Sequence, residues 1–391
     1  MFELLQKVRK KINGGVVRLS PRRPIMGKVL LSYTTLPFIS PQFLQSHTNQ
    51  WECRRIAEIF LERGYAVDVV DFNNQSFLPK EKYDFCIDVF DKLNLFSSYL
   101  TEDCVKIFHA TGAHWLHNNI AEYDRLFDIK KRRNIVLTPQ RIFQPSHNIE
   151  IANFVTVLGN DFTANTYKYA NKNIYSIPIS TTHLYPSPKN KNFDSVRKNF
   201  IWMGGVGMVH KGLDLVLEAF SNMPDFNLVV LGKKDNDFEK AYYKELYQTK
   251  NIRYVGYVNP ESDFFISTLD NSLSLIFPSC SEGGGGSVIT AMHAGLIPIV
   301  SFESSVSVND FGVILKENTI AEIQRELQHI ASLPVDVLKL RAIQSWNYAR
   351  KYHTRDTFSN AYEKFVDKLI NIIKTKNEAI HKNIPTENSF T

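Results

Sequence analysis

Twice along the chain, short apolar runs of strand length alternate with longer amphipathic runs of helix length. A break rich in Pro, Lys and Asn at 185–193 (YPSPKNKNF) separates the two series. Strands spaced by helices need crossover connections, so this pattern restricts the chain to α/β architecture with parallel sheets. The first series predicts strands at 28–32, 66–71, 84–89, 105–109, 154–158 and 174–177, and helices at 50–63, 118–131 and 163–170. Trp51, Ile56, Ile59 and Phe60 fall on the core side of the first helix. The second predicts strands at 200–203, 227–231, 252–255, 273–277 and 297–300. Its helices are expected at 213–220, 237–247, 319–332, 335–351 and 355–374, the last with Phe358, Tyr362, Phe365, Leu369 and Ile372 on one face.

A length of 391 residues suits two domains. The expected division is a basic arm at 1–26, an N-terminal domain at 27–190 and a C-terminal domain at 191–352. A helix at 353–376 should pack back on the N-terminal domain, and 377–391 should form a tail. The fold class is thus α/β, two doubly wound Rossmann-like domains facing a cleft. Ligands of such sheets gather beyond the carboxyl ends of the strands, so the cleft is the default site. No apolar run reaches the ~18 residues of a spanning helix, and the N-terminus lacks the apolar segment of a signal peptide. Cys53, Cys86, Cys104 and Cys280 lack metal-ligand spacing, and a reducing cytoplasm is expected.

The formal charge of +6 is local. Residues 1–23 hold seven basic side chains (Lys7, Arg9, Lys10, Lys11, Arg18, Arg22, Arg23) and one acid, Glu3. The rest then has 46 − 7 = 39 basic and 40 − 1 = 39 acidic residues. On a helix, Met1, Leu5, Val8 and Ile12 would share one face. That segment is either a frayed, solvated terminus or a peripheral contact with an anionic membrane surface. The neutral body offers no extended basic groove, so nucleic acid is not an expected partner.

Two glycine-rich stretches hold the most chemistry. In 277–300 (FPSCSEGGGGSVITAMHAGLIPIV) a strand runs through Glu282 into four glycines and then a helix. Gly283, Gly284 and Gly285 let backbone approach a ligand, the helix start favours an anion, and a carboxylate can grip sugar hydroxyls. The bland alternative is a flexible linker. In 202–219 (WMGGVGMVHKGLDLVLEA) the loop with Gly205 precedes Lys211, whose point charge suits a phosphate. An ordinary strand–helix turn reads the same way.

Lys211-Gly212-Leu213-Asp214, together with Glu282-Gly283 and Ala294-Gly295-Leu296-Ile297-Pro298, resembles the retaining glycosyltransferases of family 4, which have the GT-B fold. The likeness covers about 199–300 well, and the N-terminal half in its order of elements. It implies a nucleotide-sugar donor held by the C-terminal half and a glycan or lipid-linked acceptor held by the N-terminal half. By that resemblance Glu282 matches the first acid of a Glu-x7-Glu motif and contacts the donor sugar, while Lys211 meets the diphosphate. Two positions depart from the pattern: Thr290 stands where the second Glu holds the ribose, and Val206 stands where an Arg precedes the lysine by five residues. Lys233 would supply some of the missing charge.

In the N-terminal half, 108–119 (FHATGAHWLHNN) follows a predicted strand. His114 is the preferred match for the family's histidine at the transferred sugar, with His109 as runner-up. Thr111 and Asn118 are further acceptor-side candidates. The alternative is that these histidines cap strand and helix ends. Asp235-Asn236-Asp237 reads as a helix cap rather than a metal motif. No cofactor is expected beyond the nucleotide-sugar co-substrate, and no metal is expected to be essential. The resemblance implies transfer with retention, and hinge closure is expected at 185–193. The proposed setting is bacterial cell-surface polysaccharide synthesis at the inner face of the membrane. A nucleotide-sugar epimerase and a non-catalytic nucleotide- or sugar-binding protein are the competing readings.

Overall fold

The computed structural model describes residues 9–382. Its first sheet contains β1 (Arg9–Asn13), β2 (Val16–Ser20), β3 (Gly27–Tyr33), β4 (Tyr65–Asp71), β5 (Phe85–Asp88), β6 (Val105–Ala110), β7 (Phe154–Leu158) and β8 (Ile174–Ile177). They lie in the order β1-β2-β4-β3-β5-β6-β7-β8, with β3 to β8 parallel. The second sheet contains β9 (Asn199–Gly204), β10 (Asn227–Gly232), β11 (Ile252–Gly256), β12 (Ser274–Phe277), β13 (Ile297–Ser301) and β14 (Val313–Leu315). Its order is β11-β10-β9-β12-β13-β14, parallel throughout. Each sheet reverses direction beside its first parallel strand, at β3/β5 and at β9/β12. Loops leaving those strands therefore diverge and open a crevice.

The central strands are buried on both faces, as near-continuous apolar runs require: Leu275, Ile276 and Phe277 of β12 are fully covered. The C-terminal helix Arg355–Lys382 crosses back to the N-terminal core, where Phe358, Tyr362, Phe365, Val366 and Leu369 pack around Trp51 and Phe60. Ile372, expected on that stripe, is exposed at 41%, and Val366 and Ile370 take the buried positions instead. The helix expected at 237–247 is broken into Asn236–Ala241 and Tyr243–Tyr247.

The basic arm is not a helix where it is described. Residues 9–20 form the hairpin β1–β2, whose second strand pairs antiparallel with β4. Gly14 and Gly15, at φ +57° and +74°, make the two-residue turn, a conformation that glycine adopts without strain. Val17 and Leu19 point into the core and Arg18 faces Asp68 at 3.7 Å. Alternation with a period of two thus overrides the helical spacing read through Ile12, and the N-terminal domain begins before 27. Met1, Leu5 and Val8 lie outside the described residues. Among the described residues, no helix is long and apolar enough to cross a membrane.

The segment at 185–193 is likewise not a free hinge. Trp346 Nε1 and Arg350 Nη2 donate to the Tyr185 carbonyl at 3.2 and 2.9 Å, and Pro188 packs on Gly295. These contacts fasten the stretch to the C-terminal domain. On the other side, Ser180 N and Oγ donate to Glu52 Oε1 at 2.9 and 2.8 Å. The chain thus changes domain between Ser180 and Tyr185, beside its return at His353.

A third link runs between the domains. The N-terminal-domain helix Trp115–Arg133 sends Arg125 to the Pro278 carbonyl (2.6 Å), Arg132 to Asp214 (2.7 Å) and Arg133 to Glu245 (2.7 Å). Its Ile129 lies in the C-terminal core.

Candidate active site

The loops after β9 and β12 face each other across the switch point of the second sheet. After β9, Gly212 adopts φ +72°, and a Cβ there would lie 2.4 Å from the Pro278 carbonyl oxygen. Only glycine lets the two loops approach so closely. Trp202 Nε1 donates to the Lys211 carbonyl at 3.1 Å, which fixes that residue over the end of its own strand. The Lys211 ammonium forms an ion pair with Glu282 Oε1, which also accepts from Ser279 Oγ at 3.0 Å.

Both members of this pair are buried. Burial raises the Glu282 pKa, but the charges of Lys211, Arg141 and His210 outweigh it and hold the carboxyl at about 2. Burial pulls Lys211 below its ordinary value, with Glu282 opposing. Glu282 is therefore ionised at neutral pH, and the buried pair loses much of its hydration, a state poised to exchange one partner for a charged or hydroxylated ligand.

The glycine run is structural contact as much as ligand surface. A Cβ on Gly283 would sit 2.2 Å from the Thr111 carbonyl oxygen, and one on Gly284 3.3 Å from Gly159. Gly285, at φ +42°, is the N-cap of the helix Gly286–His293. Thr163 Oγ1 donates to the Glu282 carbonyl at 3.3 Å. Residues of the first domain thus pack directly against the run.

Between the domains lies a cavity of about 520 Å³. Thr111, His114, Asn118, Glu282 and Gly283 line it, so five of the residues singled out from the sequence converge here. His114 caps the Trp115–Arg133 helix, accepting from Leu116 N at 3.3 Å, and its Nε2 lies 3.2 Å from Tyr169 Oη. Burial lowers its pKa. The capping role and a place on the cavity wall coexist in this one residue. Asn118 Nδ2 donates to the Arg141 carbonyl at 2.6 Å.

Other expected residues lie elsewhere. His109 is enclosed in the N-terminal core between Tyr33 and Tyr362, with Nδ1 2.7 Å from Thr156 Oγ1. Burial drives its pKa to about 3, so it is a neutral core histidine and not an acceptor-side group. Lys233 is exposed and borders a separate open groove with Lys234, Tyr254 and Tyr257. Gly205 faces open space. Thr290 Oγ1 donates to the Gly286 carbonyl at 2.9 Å within its own helix. Asp235 caps the helix Asn236–Ala241, accepting from Phe238 N at 3.1 Å. Among the described residues no group of three or more His, Cys, Asp or Glu is arranged to hold a metal ion.

Four participants were not singled out from the sequence. Phe90 and Phe143 supply an aromatic wall with ring centroids 6.3 Å apart. Arg141 enters from the 140–143 loop, whose Pro-flanked text has no periodicity. Glu122 is buried on the Trp115–Arg133 helix and binds His210 Nδ1 at 2.8 Å, while His210 Nε2 donates to the Ser281 carbonyl at 2.6 Å. Its helical spacing marks the inner face of that helix, but its partner lies 88 residues away.

Residues 188–347 match the family described as glycosyl transferases group 1. The chain carries a group 1 glycosyl transferase domain. Solved structures share the GT-B fold over most of the chain. Sucrose-phosphate synthase from Thermosynechococcus elongatus aligns over 90% of this chain and 100% of its own, at 13% identity and TM-score 0.59. WaaG, a glycosyltransferase involved in lipopolysaccharide biosynthesis, aligns over 87% and 98% at 17% identity and TM-score 0.53. Anabaena Alr3699/HepE, solved with UDP and glucose, aligns over 88% and 100% at 12% identity and TM-score 0.53. The chain spans about half the length (54%) of the larger TarM structure that it also resembles. No curated protein matches the sequence.

Proposed function

We propose that this glycosyltransferase moves a hexosyl unit from a nucleotide-sugar donor to a glycan or lipid-linked acceptor, with retention at the anomeric carbon. The observation that supports this most is the buried Lys211–Glu282 pair, whose Glu282 lines the interdomain cavity. A donor entering from the second sheet exchanges both halves of the pair. Its diphosphate takes the Lys211 ammonium, and its sugar hydroxyls donate to the released Glu282 carboxylate. Lys211 then faces the charge that develops on the departing diphosphate as the glycosidic bond breaks, in a site where few waters compete. The acceptor lies on the N-terminal side, along the aromatic wall and near His114, and attacks from the leaving-group face.

HepE was solved with UDP and glucose, and WaaG serves lipopolysaccharide synthesis. The first favours a nucleotide-sugar donor and the second a role in cell-surface polysaccharide synthesis, which we place at the inner face of the membrane. The test is thermal stability against UDP, GDP, ADP and their hexose conjugates, on wild type and Glu282→Gln. A ligand at a hundred times its Kd adds about 2.7 kcal/mol. One conjugate should stabilise wild type more than the variant. Silence across the panel would remove the donor site from this cavity.

A further inference from the structure

The position five residues before Lys211, where the resembled family places an arginine, holds Val206, half exposed on the cavity wall. Arg141 lines the same cavity from the opposite domain. Its Cδ and Cγ lie 2.5 and 2.8 Å from where a Cβ on Gly207 would stand, so the side chain rests on the residue next to Val206. Gly207 also adopts φ +88°, which favours glycine. Any larger residue there would displace Arg141.

The loop that presents Arg141 is fastened at both of its backbone polar groups. Its N–H donates to Glu122 Oε1 at 3.3 Å, beside that of Gln140 at 2.8 Å, and its carbonyl accepts from Asn118 at 2.6 Å. Glu122 holds His210 through its other oxygen, and His210 precedes Lys211. One helix residue therefore sets Arg141 and the Lys211 loop relative to each other. Among the described residues the Arg141 guanidinium pairs with no carboxylate, and its Nε is buried without a hydrogen-bond partner. Its charge nevertheless acts on Glu282, which lines the same cavity, and on Lys211, His210 and His47. An unpaired cation beside an ion pair that a donor must open is a site for the donor's anionic part.

We propose that Arg141, from the N-terminal domain, binds the donor diphosphate in place of an arginine at position 206. This rests on the donor reading above and deepens it: the diphosphate is gripped from both domains, by Lys211 below and by Arg141 across the cleft. A guanidinium offers two parallel donors to phosphate oxygens, which an ammonium does not.

The test is calorimetric titration of UDP, GDP and ADP, each with its monophosphate, into wild type, Arg141→Ala, Arg141→Lys and Arg141→Ala/Val206→Arg. For the diphosphate that wild type binds, Arg141→Ala should weaken affinity about 10- to 100-fold, as loss of a charge-assisted contact does. Arg141→Lys should recover part of that loss. The corresponding monophosphate should change less than threefold. Val206→Arg in the Arg141→Ala background should restore at least tenfold in diphosphate affinity, which a merely misfolded loop would not permit. Diphosphate affinity within twofold of wild type in Arg141→Ala would overturn the assignment while leaving the donor reading intact, and so would failure of Val206→Arg to rescue. Absence of binding to wild type by any diphosphate would overturn both.

Discussion

Glu122, on a helix of the N-terminal domain, lies 2.8 Å from Nδ1 of His210, on the loop of the C-terminal domain that holds Lys211. Both are buried, and the second ring nitrogen faces the Ser281 carbonyl. With Glu122 ionised, both ring nitrogens meet oxygens that only accept, so the charged imidazolium satisfies both contacts. Burial pulls the His210 pKa down, and the Glu122 carboxylate opposes it.

Removing one member of a buried pair strands the other. Glu122→Ala should therefore cost about 3–5 kcal/mol of stability. Glu122→Gln should cost much less, because an amide can donate to neutral Nδ1 and still accept from the Gln140 N–H. Urea unfolding of the two variants checks this, and equal losses would contradict it by showing that the amide cannot replace the charged carboxylate.

The glycines differ in what they tolerate. Gly283→Ala drives a Cβ into the Thr111 backbone, whereas Gly205 has nothing within 4 Å. Gly283→Ala should lower stability by about 1–3 kcal/mol, the usual result of overpacking, and suppress transfer. Gly205→Ala should stay within about 0.5 kcal/mol of wild type. Thermal unfolding of both variants decides the point.

Acid should loosen the joint between the domains. His293 Nε2 donates to the His353 carbonyl at 2.8 Å, and burial lowers both histidines from 6.5 to about 4. Between those pH values the unfolded chain takes up protons that the folded chain refuses, so stability falls as pH drops from 6.5 to 4. His353→Gln should flatten that slope in denaturation curves taken at pH 7, 6, 5 and 4. An unchanged slope would contradict the neutral-histidine joint.

The Glu282 carboxyl adds a second loss in the same direction at lower pH. Its pKa falls from 4.5 unfolded to about 2 folded, a difference of about 3 kcal/mol for this group alone. The contribution is complete above pH 4.5 and is lost as pH falls towards 2. Wild type should thus lose stability over that window more steeply than Glu282→Gln, as measured by acid titration of the far-ultraviolet signal.

Strand and helix alternation made most of the fold legible, because each central strand reads as an unbroken apolar run and each crossover helix as one stripe. The N-terminal hairpin escaped because Gly14-Gly15 was passed over as a turn while Ile12 happened to continue a helical spacing. At the site, Lys211, Glu282 and Gly283 were readable since glycine loops after strands mark places where backbone meets ligand. His109 misled because a histidine at a strand end looks alike whether it faces a cleft or, as here, the core. Arg141 and Glu122 could not be found that way. Their meaning lies in contacts across 66 to 88 residues, between Arg141 and Gly207 and between Glu122 and His210.

We propose a division of roles in which Glu282 reads the donor's sugar and Lys211 its diphosphate. It is tested most directly by calorimetric titration of a nucleoside diphosphate and of its hexose conjugate into wild type and Glu282→Gln. Wild type should bind the conjugate at least tenfold more tightly than the bare nucleotide, and Glu282→Gln should erase that difference while still binding the nucleotide. If the variant keeps the full preference for the conjugate, the sugar lies elsewhere and this account of the site is wrong.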